Sequence, residues 1–118
     1  MTWNDRETTL DQVKTRLRDF NKARDWEQFH HPKDLAMCVS AEAGELLECF
    51  LWKRDAEALD LTKIREELGD VLITAINLAN ALDIDVMRAV EAKIALNEDR
   101  YPVSKARGRA DKHDRLDG

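Results

Sequence analysis

Glu42-Ala43-Gly44-Glu45 and Glu67-Leu68-Gly69-Asp70 decide how the chain is read, the second running straight into Val71-Leu72-Ile73-Thr74-Ala75-Ile76-Asn77-Leu78-Ala79-Asn80-Ala81-Leu82. Each stretch sets two carboxylates three residues apart inside an apolar run. At ~100° per residue such a pair shares one helix face, one turn apart. On the first helix Glu42 falls within the stripe of Leu35, Cys38, Val39, Leu46 and Cys49, with Glu45 at its edge. On the second, Glu67 and Asp70 lead into twelve residues without a charge, where Thr74 and Asn77 continue the acid stripe as polar groups. Four acids turned toward an apolar interior repel one another and lose hydration, at several kcal/mol per ion if nothing compensates. A hard divalent cation compensates best, and Mg²⁺, with Mn²⁺ as a substitute, is the usual ion when the ligand carries phosphates.

The rest of the composition agrees with helices. The chain has 118 residues, enough for one core. Four Gly and two Pro are too few for the turns of an all-β protein. The fold class expected is all-α, a bundle of four helices, with one domain over residues 1–102 and a polar, mobile tail over 103–118. A net charge of −5 argues against binding a nucleic-acid polymer. It also disfavours a nucleotide unless metal intervenes. No apolar run reaches the ~20 residues that span a bilayer, and the first residues lack a signal-peptide pattern. Cys38 and Cys49 are expected as small buried groups in a reducing cytoplasm.

Thr8 or Thr9 can cap a first helix carrying Leu10, Val13, Leu17 and Phe20 at helical spacing, ending near Arg24. Asp25 to Pro32 is a break, where Trp26 and Phe29 either plug the bundle end or stack on a ligand, and His30 and His31 are candidate ligand groups. The second helix is expected over Pro32 to Lys53, apolar on more than one side and so buried between neighbours or against another subunit. The third is expected over Thr62 to Leu82, and the fourth over Val86 to Tyr101 with Asp85 as cap. Lys93, Asn97 and Arg100 form one row of donors on the fourth helix, either a solvated face or a clamp on phosphate oxygens.

Arg24-Asp25-Trp26-Glu27-Gln28-Phe29-His30, Glu42 to Glu48 with Trp52-Lys53, Glu66 to Leu72 and Arg100-Tyr101-Pro102 together resemble the MazG-like all-α nucleotide pyrophosphohydrolases, nearest the dCTP pyrophosphatase branch. The resemblance covers about residues 8 to 102. It implies cleavage of a nucleoside triphosphate between the α and β phosphates, to monophosphate and pyrophosphate, in nucleotide-pool cleansing. It makes Glu42, Glu45, Glu67 and Asp70 the Mg²⁺ ligands. Lys93, Asn97, Arg100 and Tyr101 become phosphate contacts, and Trp26, His30 and Trp52 the base and sugar pocket. It implies a homo-oligomer, a tetramer built as a dimer of dimers rather than a dimer. Thr74 stands where dCTP-specific relatives tend to carry Tyr, which bears on base and sugar preference.

The chemistry expected is in-line attack by water at the α phosphorus, with Glu45, and after it Glu48, as the carboxylate that activates the water. Broader triphosphate specificity is one alternative. A second is a non-catalytic helical interaction module, with its acids paired to Lys53, Arg65 or Lys93. A di-iron bundle needs Glu-x-x-His from each of two helices. Here only Glu27 and His30 match, and they lie in the break.

Overall fold

The computed structural model describes residues 2–116, and three of its helices open on a side-chain cap. Thr9 starts α1 (Leu10–Ala23) with a reciprocal cap: its Oγ1 accepts from Gln12 N at 3.1 Å and Gln12 Oε1 accepts from Thr9 N at 2.8 Å. A 3₁₀ turn at Glu27–Phe29 leads to α2 (Pro32–Glu48), where Pro32 occupies the first turn because its missing N–H has no partner to lose. Asp60 opens α3 (Leu61–Leu82) by accepting from Lys63 N, one residue earlier than the sequence pattern suggests. Asp85 opens α4 (Val86–Arg100) in the same way, accepting from Arg88 N.

Several expectations change. α2 stops at Glu48, short of Lys53. The Cys49 and Phe50 amides donate back only three residues, and Trp52 takes a left-handed backbone at φ +65°, which no α-helix accommodates. Among the described residues the helices number five, not four. Beyond Pro102 the chain forms a further turn, α5 (Val103–Ala106), then a 3₁₀ turn at His113–Arg115. No strand occurs among the described residues.

The chain divides into two compact units, one ending at Ile84 and one beginning at Asp85. In the first, α3 is the central element. It packs along α2 and receives α1. Leu35, Cys49 and Ala79 are buried there. Three hydrogen bonds fasten α1 to the far half of α3 and its exit: Asn21 Nδ2 donates to Asn77 Oδ1, Asn80 Nδ2 to the Lys14 carbonyl, and Lys14 Nζ to the Ile84 carbonyl. In the second unit Leu116 is buried and His113 meets Tyr101 edge to face at 5.9 Å. Residues read above as a polar tail thus carry ordered contacts of their own.

No side chain among the described residues is completely enclosed, and large apolar groups stand open on α2, α3 and α4. Cys38 is among the exposed residues, against expectation; Cys49 is buried. No helix of the described residues is long and apolar enough to cross a membrane.

Candidate active site

The two acid pairs face each other across the α2–α3 contact. Carboxylate oxygens of Glu42, Glu67 and Asp70 lie within 4.8 Å of one another. Glu67 is only 6% exposed, Glu42 is half-buried and Asp70 is exposed. Glu45, also exposed, completes the group by touching Glu42 and Glu67. Its carboxyl is held above the usual range, first by a hydrogen bond shared with Glu42, then by the charges of Glu42 and Glu67. One helical repeat on each of two packed helices therefore brings four carboxylates together.

Among the described residues, the ion pair made to these acids comes from Lys63, whose Nζ lies 2.9 Å from Glu67 Oε1. Lys53 and Arg65, partners a non-catalytic module would use, make no salt bridge there among the described residues. Glu42 Oε2 and Glu67 Oε2 are buried without any hydrogen-bond partner among the described residues. Buried carboxylate oxygens without donors are costly. Oxygen-only donors, closely spaced and met among the described residues by the one ammonium of Lys63, suit a hard divalent ion.

Beside the acids opens a cleft of about 430 Å³ lined by Glu45, Glu48, Cys49, Lys53, Asp60, Lys63 and Glu67. Farther along α3 lies an apolar pocket of about 350 Å³, walled by Trp3, Phe20, Trp26 and Ile73, with Asn21, His30 and Asn77 supplying polar groups. Trp26 meets Phe20 edge to face at 5.7 Å. Of the residues expected around a base, Trp26 and His30 line this pocket. Trp52 does not; it is 100% exposed after the end of α2. Thr74 turns its hydroxyl back to the Val71 carbonyl at 2.9 Å. Lys93, Asn97 and Arg100 are exposed on α4 and Tyr101 half-buried, all in the second unit.

Lys63 and Asn21 were not singled out from the sequence. Lys63 stands four residues before Glu67, a spacing that any solvated ion pair shares. Asn21 lies four residues after Leu17 on the apolar stripe of α1, and a polar residue on such a stripe is itself a signal.

Residues 37–116 match the model of the MazG-like family. The chain belongs to the MazG-like family. It is 41% identical to rat dCTP pyrophosphatase 1 over 114 residues, covering 91% of this chain and 67% of that protein. It is 38% identical to human dCTP pyrophosphatase 1, covering 93% and 69%. Its fold superposes on the crystal structure of a pyrophosphatase from Archaeoglobus fulgidus with a TM-score of 0.76 at 34% identity, over 86% of this chain and 99% of that one. The MazG-like match spans both acid motifs, α4 and α5.

Proposed function

We propose that the chain is a Mg²⁺-dependent nucleoside triphosphate pyrophosphatase that cleaves dCTP or related deoxynucleotides between the α and β phosphates. That it is a pyrophosphatase follows from the relatives it matches along most of their length. The observation that carries the metal is the pair of buried, partnerless oxygens on Glu42 and Glu67. Glu42, Glu45, Glu67 and Asp70 would hold the ion, Mn²⁺ serving in its place. When bound, Mg²⁺ would neutralise phosphate oxygens and polarise the phosphorus toward attack.

The chain's own groups supply the remaining chemistry. Glu45 holds its proton more tightly than an ordinary carboxyl, which suits a group that takes a proton from the attacking water. Glu48, lining the same cleft, is the second candidate base. Lys53 and Lys63 line that cleft and would meet anionic oxygens of the substrate. Lys93, Asn97, Arg100 and Tyr101 are proposed as further phosphate contacts. Trp26 and His30 would hold the base and sugar, with Trp52 and Thr74 as additional contacts.

The enzyme is proposed to work in the cytoplasm as a homo-oligomer, a tetramer in preference to a dimer. Exposed Met37, Leu47, Leu68, Leu72 and Ile94 support association. The function is tested by measuring pyrophosphate release from a panel of ribo- and deoxynucleoside triphosphates, with Mg²⁺ and with chelator. Release of pyrophosphate from dCTP that stops on chelation is expected. Orthophosphate as the product, or chelator-resistant turnover, would overturn it.

A further inference from the structure

The Asn21–Asn77 hydrogen bond lies where an apolar pocket has no structural need of it. Asn21 is 6% exposed, on the apolar stripe of α1, and its Nδ2 donates to Asn77 Oδ1 at 3.1 Å. Replacing both partners of such a pair with apolar groups of similar shape is nearly neutral for stability. Two other hydrogen bonds already fasten α1 to the same end of the first unit. What the pair does have is position. Both amides line the aromatic pocket of Trp3, Phe20, Trp26 and Ile73. Asn77 also follows Asp70 by seven residues, nearly two turns, so the two share a face of α3 about 10 Å apart at ~1.5 Å per residue. That span matches the reach of a nucleotide from its α phosphate to the far edge of its base.

We propose that Asn21 and Asn77 together read the edge of the substrate base, and that their reversible hydrogen bond lets the pocket take both 4-amino and 4-oxo pyrimidines. This rests on the pyrimidine nucleotide reading above and widens it from cytosine to thymine and uracil. As the pair stands, Asn77 Nδ2 donates to no group among the described residues and, on a residue that lines the pocket, is available to a base held there. Those donors suit a 4-oxo group or a ring-nitrogen acceptor. If both amides turn over, Asn77 Nδ2 donates to Asn21 Oδ1, and Asn77 Oδ1 instead faces the pocket as an acceptor for a 4-amino group. The internal hydrogen bond survives in either state, so the reversal loses no bond. A carboxylate in place of either amide could not reverse, because it only accepts.

The test uses the full chain with Mg²⁺, isothermal titration with dCMP and dTMP, and thermal melting. Wild type should bind the two within about fivefold of each other. Asn77→Asp, which keeps shape and leaves only acceptors, should shift the ratio about tenfold or more toward dCMP. Asn77→Ala should weaken both ligands by about tenfold with the ratio unmoved. A purely structural pair would change melting without changing the ratio, and that result overturns the proposal. So does a wild type that binds neither monophosphate, or one that prefers dCMP by a hundredfold. If no triphosphate yields pyrophosphate while the monophosphates bind and Asn77→Asp shifts their ratio, the hydrolytic reading falls and the base-reading pair stands. If hydrolysis proceeds with the ratio untouched, the pair alone falls.

Discussion

Lys63 Nζ lies 2.9 Å from the buried Glu67 Oε1, while Glu67 Oε2 has no partner among the described residues. The lysine thus neutralises half of a carboxylate that sits among three other acids. A divalent ion entering this cluster must share Glu67 with Lys63 or displace it. Lys63→Gln should therefore melt at lower temperature than wild type without metal, yet gain more from added Mg²⁺. Hydrogen bonding to Glu67, and then its charge, holds the Lys63 ammonium above 10.5. A raised lysine contributes its stability fully below 10.5 and loses it as pH climbs through the higher folded value. The melting gap between the two proteins should persist at neutral pH and close under strong alkali. A gap that is absent at pH 7, or a smaller metal response in the variant, would show that the pair plays no part in charge balance.

Glu45 supplies the opposite sign. Its folded carboxyl binds a proton more tightly than the unfolded one, chiefly through the hydrogen bond with Glu42. The resulting stability is present below 4.5 and is lost as pH rises through the raised folded value. At pH 7 the ionised group repels its neighbours. Metal-free Glu45→Gln should accordingly melt higher than wild type at pH 7, with the difference shrinking toward pH 4.5, while turnover is lost. Calorimetric melting across this range checks it. A variant that melts lower at pH 7 would place Glu45 outside the repelling cluster.

Trp52 carries backbone strain in full view of solvent. At φ +65° a bulky L-residue is held in a region costing about 1–3 kcal/mol, and its side chain is 100% exposed. Among the described residues nothing packed against the ring accounts for that conformation, and the proposed stacking of Trp52 on the substrate base would. Trp52→Gly should keep or raise the melting temperature and lower kcat/KM by about tenfold, the scale of one lost stacking contact. Unchanged kinetics would leave the strain without a catalytic reason.

Much of the architecture was readable because the signals are local. Thr9 and Asp85 each precede a periodic apolar run, and each caps a helix, whereas the Asp60 cap was missed and the third helix was expected to open at Thr62. The acid pairs were readable because three-residue spacing and an apolar surround suffice to put them together. The end of α2 was not, since Phe50, Leu51 and Trp52 prolong the apolar pattern and only the backbone at Trp52 breaks it. Asn21 was hidden for another reason. Its partner lies 56 residues away, and no periodicity within α1 reveals a tertiary hydrogen bond. Cys38 was misplaced because helical spacing put it on the apolar stripe of α2, yet it stands exposed.

Leu68 and Leu72 stand one turn apart on α3, 47% and 54% exposed, immediately beside the acid motif. Apolar groups so placed on a central helix are poorly explained by solvent and well explained by a second copy of the chain. Leu72→Glu would set a charge in that proposed contact, which a buried interface tolerates badly. Wild type should sediment well above the 13.6 kDa of one chain, and the variant should shift toward it. Because Asp70 is only two residues from Leu72, pyrophosphate release should fall with assembly. Retained activity in a monomeric variant would show that one chain carries the whole site, and a monomeric wild type would remove the interface altogether.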